Sequence, residues 1–202
     1  MLGRGWKTTP VSVAVALAWA LGSGGVTAQD LPANHAEWSV ETGYLSKVKH
    51  NSSLDYRVVP TQLVWRSPAG ADLWRSGDGT RLLFRHRLAL LTETIPRGAE
   101  DYYVGFSGAP SLELWLPNQT TALFGALGGG VGYINAKGVE GGQGQHLTLN
   151  FFTQFGLRQQ IGRSSALSAS AYFVHHSNGG RTNPNPGIDA LGLNLGLIWR
   201  FD

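Results

Sequence analysis

The sequence predicts an all-β chain closed into an eight-stranded antiparallel transmembrane β-barrel of the outer membrane. Apolar residues recur at every second position rather than every third or fourth, which is the period of strands. The alternating runs reach roughly 9 to 11 residues or more, the length of a tilted membrane crossing, whereas globular strands average about 5 to 6. The last run, Ala190 to Phe201, sets Leu191, Leu193, Leu195, Leu197, Trp199 and Phe201 on one face and Gly192, Asn194, Gly196 and Arg200 on the other. Six bulky apolar groups in a row require an apolar partner, and lipid supplies one while small and polar residues fill the interior.

Composition narrows the choice from the other side. Of 202 residues, 42% are hydrophobic and only 14% charged, against about 25% charged in ordinary globular chains. The apolar content argues against disorder, and a mean hydropathy of −0.10 is too low for a bundle of membrane helices. The absence of cysteine removes disulfides and thiolate metal sites without fixing the redox compartment.

Arg4 and Lys7 precede the uncharged run Val11 to Leu21, which is followed by Gly-Ser-Gly-Gly and Val26-Thr27-Ala28. A basic start, an apolar stretch too short to cross a membrane and a small-residue end form a secretory signal, so residues 1–28 are expected to be removed after Ala28. Without Arg4 and Lys7 the remaining chain is nearly neutral, which gives no case for nucleic acid. No repeat or low-complexity linker divides residues 29–202, which read as one barrel domain.

Eight segments follow in order. Trp38, Val40 and Tyr44 alternate with Glu37, Ser39, Glu41 and Gly43. Arg57, Val59, Leu63 and Trp65 mark a second strand. Arg81 to Leu91 is a third, interrupted by Arg85, His86 and Arg87. Tyr102 to Phe106 is a fourth, with a bulge or break expected at Gly108 and Pro110 if it reaches Trp115. Thr121 to Asn135 sets Ala122, Phe124, Ala126, Gly128, Gly130 and Gly132 on one face and Leu123, Leu127, Val131 and Tyr133 on the other. His146 to Arg158 opposes Leu147, Leu149, Phe151, Phe155 and Leu157 to His146, Thr148, Asn150, Gln154 and Arg158. Ser165 to Ser177 and Ala190 to Phe201 complete the eight, the count of the smallest such barrels. The uncharged stretch Leu114 to Ala136 is not a membrane helix, because Pro117 and five glycines weaken a helix interior.

The candidate chemistry lies near the C-terminus. His175, Ser177 and Asp189 supply the three side-chain types of a hydrolytic triad: a hydroxyl nucleophile, an imidazole to take its proton and a carboxylate to orient the imidazole. In the seventh strand Leu167, Ala169, Ala171 and Phe173 are odd and apolar, while Ser168, Ser170, Tyr172 and His176 are even. His175 and Ser177 therefore share the lipid-side row, and Asp189 shares the parity of Leu191. A hairpin through the turn-forming Asn178 to Ile188 brings Asp189 back beside His175. An even strand count puts both termini at the periplasmic rim, so the three groups are expected on the outside wall at the outer leaflet. Polar groups in a lipid-facing row are costly, which points to function.

His175-x-Ser177-Asn178, then Asn185-Pro186-Gly187 and an acid twelve positions after the serine, resembles the lipid A 3-O-deacylase family, the PagL-type outer-membrane deacylases. The resemblance implies an outer-membrane serine esterase of a Gram-negative bacterium that removes the ester-linked acyl chain at position 3 of lipid A. Ser177 would be the nucleophile, His175 the general base and Asp189 the orienting carboxylate. The family usually carries glutamate there, so the shorter aspartate requires a closer His175. The Asn178 or Asn185 amide, with the Gly180 backbone N–H, would hold the oxyanion. The partner implied is lipid A, or lipopolysaccharide, of the outer leaflet; homodimerisation is left open, and the scheme needs no metal or cofactor.

His176 is expected to point into the bore, and Arg181 to be a solvated loop charge or a contact to a lipid phosphate. His35, His50, His86 and His146 are dispersed and read as structural or surface groups. There is no G-x-S-x-G, H-E-x-x-H or G-x-x-x-x-G-K-[ST] to anchor a soluble hydrolase, zincin or nucleotide site. Two alternatives remain: a non-enzymatic small barrel acting in surface binding or membrane structure, and a soluble periplasmic β-sandwich.

Overall fold

A computed structural model describes residues 31–48 and 53–200. The expected signal segment 1–28, His50 and the terminal Phe201 lie outside the described residues. After a short 3-10 turn at Pro32–Asn34 come nine strands: β1 (Glu37–Lys47), β2 (Arg57–Arg66), β3 (Ala71–Arg75), β4 (Arg81–Arg97), β5 (Tyr102–Trp115), β6 (Thr121–Ile134), β7 (Leu147–Gln160), β8 (Ser165–Ser177) and β9 (Ile188–Trp199). All pairings are antiparallel, β1 pairs with β9 and β2 with β4. Eight strands thus close into a barrel, and β3 is a short flap paired only with the start of β4.

The structure corrects three sequence-level bounds. β4 runs to Arg97 rather than Leu91, because Glu93 and Ile95 continue the inward row while Thr92 and Thr94 continue the outward one. β5 is unbroken from Tyr102 to Trp115 along its β4 edge. Pro110, which has no N–H to give, interrupts only the ladder toward β6, where the pairing stops at Gly108 and resumes at Ser111. β9 begins at Ile188, so Asp189 is a strand residue and not a loop residue.

The alternation of sides is regular. On β8, Ala166, Ser168, Ser170, Tyr172, Val174 and His176 are buried in the bore, while Leu167, Ala169 and Ala171 are exposed. The leucines of β9 stand on the outside, with Leu193 72% exposed. Water would penalise such a wall at roughly 25 cal/mol per Å² of apolar surface, whereas lipid does not. Trp38 is in register with both Trp65 and Trp199 near the rim that carries the described chain ends. Tyr44, Tyr102 and Tyr133 are exposed near the other rim. Two aromatic bands flanking an apolar belt are what two membrane interfaces select.

The bore is closed by charge pairs. Glu37 binds Arg85 at 2.5 Å and Arg158 at 2.7 and 2.8 Å. Glu113 lies 3.3 Å from Arg85 and accepts from Trp115 Nε1 at 3.0 Å. One step along the axis, Glu41 binds Arg66 at 2.5 Å and accepts from Gln154 and Asn194, each at 3.1 Å. Above this lies the apolar cluster of Leu91, Tyr103, Phe152, Tyr172 and Val174. The interior is therefore a packed, cross-linked core rather than a channel.

Candidate active site

β8 and β9 meet at the rim opposite the described chain ends, and their register pairs His175 with Asp189. Both side chains project outward, and His175 Nδ1 lies 2.7 Å from Asp189 Oδ1, a charge-assisted distance. The one-residue pairing explains why an aspartate reaches: no longer side chain is needed to span directly opposed positions on one face. The His175 side chain is 37% exposed and that of Asp189 only 14%, so the carboxylate is sheltered and the outer edge of the ring is accessible.

Ser177 stands on the same outward face, two residues along β8 and in register with Leu149 of β7. Its hydroxyl forms no hydrogen bond to His175 among the described residues; in hydrolases this contact commonly tightens only with substrate bound. Around the three groups the wall is apolar: Leu149 and Phe151 on β7 and Leu191 on β9 are exposed. Phe151 is directly opposite His175, and Leu191 opposite Phe173.

The loop 178–187 is held from within by Asn178. Its Nδ2 donates to Thr182 O at 2.7 Å and Pro184 O at 3.3 Å, and its Oδ1 accepts from Arg181 N at 3.2 Å. Its backbone N–H donates to Asn185 Oδ1 at 2.8 Å. The Asn178 amide is thus committed to loop carbonyls and 1% exposed, so of the two amides expected to serve an oxyanion, Asn185 is the one whose nitrogen is left for it. Gly180, at φ +73°, is exposed and open around its Cα.

Gly187, which sequence reasoning used as turn chemistry and as part of the Asn185-Pro186-Gly187 run, lies against the candidate site. It has φ +72°, and a Cβ there would lie 3.1 Å from His175 Cε1. The backbone therefore passes close against the imidazole, and the Asn-Pro-Gly run was the signal for it. His176 points inward as expected: its Nε2 lies 2.8 Å from Glu93 Oε2, both side chains fully buried, with the Tyr103 ring 4.4 Å away. Arg181 is exposed on the loop. No cluster of three metal-ligating side chains occurs among the described residues. An apolar groove of about 430 Å³ on the opposite wall, lined by Trp38, Leu63, Trp65, Leu88 and Phe106, carries no polar group that converges on it.

A family model described as lipid A 3-O-deacylase (PagL) matches residues 53–197. The chain belongs to the lipid A 3-O-deacylase (PagL) family. The matched span covers β2 to β9, including the whole His175–Asp189 hairpin. The fold is similar to that of the outer membrane enzyme PagL, at 20% identity and a TM-score of 0.51, covering 79% of this chain and 97% of that one. Neisserial surface protein A is similar at 11% identity and a TM-score of 0.48, covering 82% and 97% of the two chains. The Yersinia pestis outer membrane protein Ail is similar at 17% and 0.40, covering 83% and 100%. No curated protein matches. PagL membership and the closed barrel indicate a Gram-negative outer-membrane protein whose family acts on lipid A.

Proposed function

We propose that this PagL-family chain hydrolyses the ester that links an acyl chain to position 3 of lipid A, with Ser177 as nucleophile, His175 as general base and Asp189 as the orienting carboxylate. The observation that carries the reading is the 2.7 Å His175–Asp189 bond on the lipid-facing wall, beside a serine of the same face. A lipid substrate stays in the leaflet, so a site that meets it must open sideways, toward the acyl chains.

Asp189 accepts from His175 Nδ1–H, which leaves Nε2 unprotonated and able to take the Ser177 proton as Oγ attacks the ester carbonyl. The developing oxyanion is met by the Asn185 side-chain amide and the Gly180 N–H. Collapse breaks the bond to the sugar oxygen, which takes the proton from His175 Nε2 and leaves. Water, deprotonated by the same nitrogen, then attacks the acyl-serine ester; His175 Nε2 returns the proton to Ser177 Oγ as that bond breaks, and the fatty acid is released. Leu149, Phe151 and Leu191 give the acyl chain an apolar track, and the rim bearing the site faces the outer leaflet.

The test is mass spectrometry of lipid A, and of released 3-hydroxy fatty acid, from cells making the chain or its Ser177→Ala variant. The wild type is expected to remove one acyl chain from position 3, and the variant to insert normally and remove none. Equal release by Ser177→Ala refutes the proposal.

A further inference from the structure

Four of the connections at the catalytic rim are bonded into one structure. Glu100, between β4 and β5, is 1% exposed. Its carboxylate accepts from Tyr56 Oη–H at 2.6 Å and from the Gln143 backbone N–H at 2.5 Å. That fixes the next residues of the 135–146 loop. Gly144 N–H donates to Pro184 O at 2.8 Å, and Thr182 Oγ1 donates to Gln145 Oε1 at 2.5 Å. Pro184 O is thus held from two sides, by Gly144 and by Asn178 Nδ2.

The approach at Gly144 is as close as a backbone allows. A Cβ there would lie 2.6 Å from Asn183 O, 2.7 Å from Asn183 C and 2.8 Å from Pro184 O. These are main-chain atoms that cannot rotate aside, so any side chain at 144 drives the two loops apart.

We infer that Glu100 and Gly144 are positioning residues for catalysis, which brace the 135–146 loop against the 178–187 loop and so set where Asn185 and Gly180 stand relative to Ser177. The inference rests on the proposed deacylase reading. It assigns the buried carboxylate of Glu100 a task that the proton-transfer scheme does not use. The braced loop joins the two strands of the catalytic hairpin, and Asn178, which it grips, follows Ser177 directly. A shift of about 1 Å at a group that stabilises the transition state costs on the order of a hundredfold in rate. The charge pairs that close the bore lie at the other end of the barrel, so these loops can separate while the barrel stays folded.

The experiment uses the full chain in detergent micelles with lipid A as substrate. Gly144→Ala and Glu100→Ala are each expected to lower kcat about 10- to 100-fold per folded molecule, with KM within about twofold of wild type. The folded fraction is read from the faster gel migration of an unheated barrel. Glu100→Gln, whose carbonyl still accepts one of the two donors, is expected to recover part of the loss. Thr182→Val, which removes only the bond to Gln145, is expected to lose a few-fold and serves if the glycine variant does not fold. Wild-type kcat in Gly144→Ala, Glu100→Ala or Thr182→Val, while Ser177→Ala is dead, overturns the brace and leaves the deacylase reading standing. So does a loss that lies wholly in KM or in the folded fraction. Absence of acyl release by the wild type overturns the deacylase reading, and the brace with it.

Discussion

Replacing Asp189 by asparagine keeps the side-chain shape and removes the charge, so it isolates what the carboxylate contributes. In the transition state His175 carries the serine proton, and the imidazolium and carboxylate charges are then roughly 4 Å apart, about 4 kcal/mol at an effective dielectric of 20. The 2.7 Å contact makes the full attraction available, but a ring 37% exposed is screened by solvent, and about half is a fair discount. About 2 kcal/mol corresponds to a loss of roughly 30-fold in kcat. An amide at 189 also accepts or donates without preference, so the ring can settle in the wrong tautomer, which in a triad hydrolase raises the loss toward about 10⁴. The assay is fatty-acid release from lipid A in micelles under substrate saturation, with the folded fraction measured in parallel. A loss of 30-fold or more with KM unchanged is expected. A loss below about fivefold would show that the carboxylate neither orients nor charges the imidazole, and the triad would reduce to Ser177 and His175.

Two further outcomes follow from neighbouring geometry. Gly187→Ala forces a left-handed residue with φ +72° and a methyl 3.1 Å from His175 Cε1; the conformation alone costs about 1–2 kcal/mol. A thermal midpoint lowered by a few degrees is expected, together with a kcat loss of about tenfold from the displaced ring. Arg158→Leu strips the two Arg158 bonds from Glu37 and the cation from the Trp115 face at 4.8 Å. With Arg85 still paired to that carboxylate, the loss should be about 2–3 kcal/mol in urea unfolding, while kcat per folded molecule stays at wild type because the site is at the other rim.

The barrel was legible because its two solvents write period two into every crossing strand. The same parity puts His175, Ser177 and Asp189 on one outward face, and in the structure His175 and Asp189 are paired on that face. What the pattern did not carry was anything set by a partner distant in sequence. Ala71–Arg75 was missed because five residues with no buried side chain have no face to alternate, and its Asp72 is spent on Arg75 and Arg81. Glu37 and Glu41 read as polar positions, but nothing local says that their cations come from Arg85, Arg158 and Arg66. The resemblance offers the Asn178 or the Asn185 amide for the oxyanion, and nothing local shows that the Asn178 amide turns to carbonyls that only the folded loop presents. The Gly144 contact joins residues about forty apart through main-chain atoms and leaves no trace in side-chain pattern.

The strand that bears the proposed catalytic groups also explains how an exposed wall can hold an ordered geometry. His175 and Ser177 point toward lipid, yet each is flanked by residues that point the other way and are fixed there. Val174 is fully buried in the apolar cluster, His176 is bonded to Glu93 and packed on Tyr103, and Asn178 is bonded into the loop by four hydrogen bonds. In a strand, fixing the inward residues fixes the pleat, and fixing the pleat aims the outward ones. In the proposed reaction the cross-linked bore therefore acts without touching substrate: it converts a rigid interior into a rigid exterior row, the kind of supported geometry that transition-state stabilisation requires. On the proposed reading such a wall needs no cleft to gather its substrate, because the lipid is already held in the leaflet that the row faces.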